Sequence, residues 1–172
     1  QPFLERVWEM AEETVHLIVY QGGKAYYLRK LESPKALQMK SREGDDLPLY
    51  STAGGKAILY ALPKEDLELY LSTHVLERRT PNTITEASAL RERLRTYRKR
   101  GYSEEVEENE RDIRCVASPI LGADGFPVGS ISVACPTFRC DDEKAERLGK
   151  ALARQVLAVS RELGYSGPGC EE

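Results

Sequence analysis

The chain has 172 residues and a formal net charge of -3. That length suits one domain with a real core, and the acidic balance argues against direct nucleic-acid binding by this piece. No run of about 20 apolar residues reads as a transmembrane helix, and no signal-peptide pattern opens the chain. It begins at Gln1 without a methionine, which reads as a fragment or a processed piece. Four cysteines (115, 135, 140 and 170) are too few and too scattered for a secreted disulfide framework, so the expectation is reduced thiols in the cytoplasm.

Residues 2–13 place Phe3, Leu4, Val7, Trp8 and Ala11 at helical spacing. TVHLIVY at 14–20 predicts a buried strand. Gln21-Gly22-Gly23-Lys24 reads as a hairpin turn into a second strand over 25–32. A third, shorter strand is expected at 36–41, then a loop at 42–48. Helices follow over about 52–61, 64–72 and 86–100. Glu65 and Asp66 favour the start of the second, Thr85 is the expected cap of the third, and Gly101 closes it. A strand is expected at 102–107, and 113–121 with 127–135 read as a hairpin joined by Gly122-Ala123-Asp124-Gly125. Asp141 caps a last helix with apolar residues from Ala145 to Leu163. Gly164 ends it, leaving 165–172 as a flexible tail.

Strands grouped in hairpins, rather than alternating with helices, imply an α+β domain. Its expected form is a mostly antiparallel six-stranded sheet flanked by helices, like a GAF or PAS sensor module and unlike a Rossmann fold.

Two stretches point to chemistry. Ser51-Thr52-Ala53-Gly54-Gly55-Lys56 leads from a loop into a helix. Small residues there let a ligand approach the backbone, and the free N–H groups of a helix start favour an anion. Tight packing of the helix on the sheet would use the same glycines. A phosphate-binding P-loop is excluded, because Tyr50 and Ala57 stand where glycine and a hydroxyl are needed. On the hairpin, alternation puts Ser130, Ser132 and Ala134 on one face and Cys115 with Ala117 on one face. Such small, polar residues either leave room for a small polar ligand or let a helix sit close with the serines bonded locally.

Cys115 invites a thiol-redox reading, but a nucleophilic thiol needs a base, and the only histidines are His16 and His74. His16 sits in what looks like an ordinary core strand. Glu104, Glu105, Glu107, Glu108 and Glu110 could serve acid–base or metal chemistry, yet for most of them a solvated face is expected. The basic run Arg91, Arg93, Arg95, Arg98, Lys99 and Arg100 also reads as a solvated helix face. No spacing specifies a metal site.

Residues 48–63, PLYSTAGGKAILYALP, resemble the Pro-Leu-x-x-Thr/Ser-x-x-Gly-Lys-Ala-x-Leu-Ala stretch of IclR-type effector domains. Residues 100–138 resemble that family's signature region through Gly101-Tyr102, Glu108, Arg114-Cys115-Val116-Ala117, Ser132-Val133 and Pro136-Thr137. The resemblance covers essentially the whole chain. It implies the effector domain (1–164) of a bacterial regulator whose N-terminal winged helix-turn-helix is absent here. It also implies a GAF-like fold, homodimers or homotetramers, and operator DNA bound only through the missing part. No cofactor, metal or enzymatic activity is implied. The effector would be a small organic acid held by the N–H groups of Ala53 and Gly54 with Glu105, Cys115, Ser132 and Ala134. Family members commonly carry Asp at Glu105 and, for very small keto acids, Ser at Ala134, and an aromatic–Asp pair at Leu121-Gly122. These departures leave glyoxylate and pyruvate unassigned.

Overall fold

The computed structural model describes residues 2–35 and 39–167. Six strands form one antiparallel sheet in the order β3-β2-β1-β6-β5-β4. They are β1 (Thr14–Gln21), β2 (Lys24–Leu31), β3 (Asp46–Leu47), β4 (Ser103–Val106), β5 (Ile113–Leu121) and β6 (Pro127–Pro136). The helices are α1 (Pro2–Ala11), α2 (Ala53–Ala61), α3 (Lys64–Thr73), α4 (Ala87–Arg100) and α5 (Asp142–Glu162).

Each sheet face carries its own core. On one side, Ile18 and Ala117 of the sheet pack with Ala57, Ile58, Leu71, Leu90 and Leu94 of α2, α3 and α4. On the other, Val15, Val116, Ile131 and Val133 pack with Val7 of α1 and Leu148, Leu152 and Val156 of α5. Strand alternation produces this division, since successive side chains leave the sheet on opposite sides. Fully buried Glu13 ties the second core together, accepting from Arg139 (2.9 Å), Lys144 (3.0 Å) and Lys35 (3.2 Å). Burial alone would raise its carboxyl, but these cations hold it down at about 2.

The β1–β2 turn is Gly22-Gly23 with both φ positive, +59° and +77°. That is what a two-residue hairpin matching the strand twist demands. Asp141 caps α5 by accepting from Lys144 N at 2.8 Å, and Gly101 ends α4 in the left-handed region at φ 78°.

Three local expectations need correction. The third strand is Asp46–Leu47, paired with Ala25 and Tyr26, and not 36–41. Residues 36–38 lie outside the described residues. Residues 39–41 are not strand; the Lys30 ammonium holds their carbonyls instead, at 2.7 Å from Met39 O and 3.0 Å from Ser41 O. The N-cap of α4 is Glu86, with no side-chain cap; Thr85 lies one residue before it, and its hydroxyl faces Arg78 at 3.5 Å. The basic run on α4 is only partly a solvated face. Arg98 donates to Tyr60 O (2.8 Å) and Leu62 O (2.9 Å) at the carbonyl end of α2, and Arg91 grips Glu68 of α3 with two bonds.

Side chains also reach the backbone around the outermost strand, β4. Arg100 donates to Tyr102 O (2.9 Å), the Tyr97 hydroxyl to Glu104 O (2.6 Å) and Asn82 to Val106 O (3.3 Å). Further along β5, where β4 has ended, Leu121 N donates to Ser160 Oγ of α5 at 2.9 Å. Residues 165–167 follow α5, with Tyr165 N donating to Ser160 O at 3.0 Å; 168–172 of the expected tail lie outside the described residues.

Candidate functional site

Sheet register assembles the site. One cross-strand row reads Glu105, Cys115, Ala134 and Thr14; the next reads Ser103, Ala117, Ser132 and His16. The start of α2 lies over these rows. Between them is a cavity of about 50 Å³, room for a few water-sized groups. Ala53, Gly54, Glu105, Cys115, Ser132 and Ala134 all line it, together with His16, Tyr27 and the wall residues Met39, Lys40 and Ser41.

Thr52 makes the helix start. Its hydroxyl accepts from Gly55 N at 3.0 Å and donates to Pro48 O at 2.7 Å. Gly55 N is thereby satisfied, whereas Ala53 and Gly54 occupy the first-turn positions whose N–H groups have no carbonyl within the helix. Their positive end of the helix faces the cavity. Packing requires Gly55 and favours Gly54. A Cβ on Gly54 would stand 2.2 Å from Ile18 Cδ1, and one on Gly55 2.4 Å from Leu49 Cα. The hairpin serines divide between the two readings. Ser130 bonds locally to Gly54 O at 3.0 Å beneath α2, while Ser132 opens on the cavity.

Apart from exposed Glu110, the acidic run is not a solvated face. Glu104 pairs with Arg114 and with Arg100 (3.2 Å), and Glu107 accepts from Asp112 N at 2.8 Å. Glu108 meets the fully buried Lys56 ammonium at 2.6 Å. Glu105 points into the cavity and accepts Glu108 N at 2.8 Å. Burial raises the Glu105 carboxyl to about 7 against the pull of Lys56, so near neutrality it exists in both protonation states. Burial likewise pushes Glu108 up and Lys56 down. The distance of these partners in sequence is what hid the pairings.

Burial, reinforced by the negative charge of Glu105 across the strand pair, pushes the Cys115 thiol well above its ordinary value. It is a neutral thiol, the reverse of a nucleophile's setting, and the redox alternative finds no support. His16, read from sequence as ordinary core, lies in the cavity wall; only the register opposite Ser132 reveals this. Among the described residues no group of three or more His, Cys, Asp or Glu could hold a metal ion. No described helix is long and apolar enough to cross a membrane.

A family model described as "Bacterial transcriptional regulator IclR C-terminal" matches residues 1–161. The chain belongs to the IclR family. It is 33% identical over 156 residues to the HTH-type transcriptional regulator KdgR of Escherichia coli K12, covering 91% of this chain and 59% of KdgR. The crystal structure of the Thermotoga maritima IclR superposes with a TM-score of 0.92 at 39% identity, covering 95% of this chain and 66% of that one. The C-terminal domain of E. coli KdgR gives 0.83 at 29% identity, with 95% of each chain covered. This IclR chain therefore spans less than two thirds of the full regulators it matches, and its α+β fold is that of their C-terminal part. These relatives are named as transcriptional regulators, not enzymes.

Proposed function

We propose that residues 1–164 are the effector-binding domain of a bacterial DNA-binding transcriptional regulator, and that the cavity takes a small organic acid. The carrying observation is convergence: the first-turn amides of α2, the Ser132 hydroxyl and buried Glu105 meet in one small space. The Ala53 and Gly54 N–H groups suit a carboxylate. Ser132 adds a hydroxyl donor, and Cys115 and Ala134 form the floor between it and Glu105. Glu105 fits an acid because it can be protonated near pH 7 and donate rather than repel. An acid bound beside it raises that carboxyl further, so binding takes up a proton and tightens as pH falls through about 7.

The complete protein would act in the cytoplasm as a homodimer or homotetramer and reach operator DNA through a winged helix-turn-helix outside this chain. Effector binding would bias the geometry of that assembly. The test is a thermal-shift and calorimetric screen of organic acids. A binder at about 100 times its Kd adds about 2.7 kcal/mol of stability, and Ser132→Ala weakens it by roughly 1 kcal/mol or more. If no acid stabilises the domain and Ser132→Ala changes nothing, the proposal fails.

A further inference from the structure

His16 stands where the floor and the wall of the cavity meet. It lies opposite Ser132 in the β1–β6 ladder, is buried, and rests on Tyr27 with ring centroids 4.8 Å apart. Both ring nitrogens are engaged. Nδ1 lies 3.4 Å from Ser132 Oγ, and Nε2 lies 2.7 Å from Ser41 Oγ. Ser41 belongs to the wall segment whose carbonyls are held by Lys30. Burial, and then the Lys30 charge, bring the imidazole down to about 3, so the ring is neutral at ordinary pH.

A neutral imidazole has one N–H and one bare nitrogen. With the proton on Nε2, the ring donates to Ser41, and Nδ1 accepts the Ser132 hydroxyl proton. Ser132 then shows the cavity only lone pairs. With the proton on Nδ1, the ring donates to Ser132 and frees that hydroxyl to donate into the cavity, while Nε2 accepts from Ser41. The first state suits a ligand hydroxyl or amide; the second suits a carboxylate. At 3.4 Å the Ser132 contact is longer than a normal hydrogen bond, so a ligand can compete for that hydroxyl.

We propose that His16 is the positioning residue of this cavity: its tautomer decides whether Ser132 offers a proton or a lone pair to the ligand, and the same choice reverses the hydrogen bond to Ser41. Occupancy of the floor is thus registered in the wall through one ring, with no backbone movement required. The inference rests on the acid-binding reading above. It assigns His16 a role through Ser132, not contact with the ligand.

Long-range proton–nitrogen spectra of histidine-labelled protein read the tautomer directly. The only two histidines are His16 and His74, so a His74→Gln variant assigns the signals. Pyruvate, succinate and benzoate serve as probes of increasing size, with calorimetry in parallel. Any probe that binds should leave His16 protonated on Nδ1 and bare at Nε2. A bound acid with the proton on Nε2 overturns the inference and leaves the acid-binding reading standing. A second arm needs no ligand: Ser132→Ala should place the proton on Nε2 and shift the Nδ1 resonance. An unmoved Nδ1 signal refutes the coupling. If none of these three acids binds, the wider acid screen above judges the acid-binding reading, while the Ser132→Ala arm still judges His16.

Discussion

Replacing Lys56 by methionine should destabilise this domain by about 3–5 kcal/mol at pH 7. The Lys56 ammonium is wholly buried, 2.6 Å from a Glu108 carboxylate oxygen and 5.5 Å from the centre of the Tyr97 ring. At that separation and an effective dielectric near 20 the attraction is about 6 kcal/mol. Desolvation offsets several kcal/mol for each ion, so the intact pair contributes little net. Removing the cation alone leaves Glu108 buried without a partner. The Glu108 side chain is itself buried, and Thr83 pins the backbone that carries it by donating to its carbonyl at 2.7 Å. Methionine keeps the length of the stem, so the loss is electrostatic rather than a packing void. Glu108 can escape only by taking a proton. Its folded pKa, already raised by burial, climbs further above the unfolded value. Stability of the variant is therefore greatest at low pH and falls as pH rises through that pKa. Urea unfolding at pH 5, 7 and 8 measures this. The Lys56→Met/Glu108→Gln double variant should recover most of the loss, since no buried charge is stranded. A single-variant loss under about 1 kcal/mol, or simple additivity in the double, would refute the reasoning.

Glu105 makes a separate pH signature. Its folded pKa of about 7 lies above the unfolded 4.5, so the stability it contributes is full below pH 4.5 and is lost as pH rises to 7. The size is on the order of 3 kcal/mol, and Glu105→Gln should flatten that slope in urea melts at pH 5 and 8; an unchanged slope counts against it. Gly54→Ala should cost about 1–3 kcal/mol by overpacking against Ile18. Combining it with Ile18→Val, which deletes the clashing Cδ1, should cost less than the sum, as read by thermal melting. Cys115 should react with a thiol reagent only slowly in the native protein at pH 7 and quickly in denaturant; rapid native labelling followed by mass mapping to Cys115 would contradict its half-buried, neutral state.

The long elements were legible because their periodicity is long. The alternation in 113–121 and 127–135 gave both the hairpin and the shared face of Ser132 and Ala134. The two-residue β3 has no period to detect, and 39–41 misled because a lysine, not a ladder, holds it. Within the site, Ala53 and Gly54 announced a helix start, but alternation cannot tell Ser130 from Ser132; that depends on how far α2 reaches across the sheet. Glu108 and His16 were misjudged for a shared reason. Their partners, Lys56 and Ser132, lie 52 and 116 residues away, and only the fold brings them together.

The side chains that reach the β4 backbone have a consequence for assembly. Alternate carbonyls of an outermost antiparallel strand face away from its neighbour and would normally invite another chain. Here Arg100, Tyr97 and Asn82 occupy those at 102, 104 and 106. Past the end of β4, Pro119 has no N–H to offer and Leu121 gives its own to Ser160. The acceptors of this border are thus already taken, which disfavours strand addition there. A second copy of the domain adding a strand along β4 would first have to displace these side chains, each of which anchors α4 or the loop before it to the sheet border.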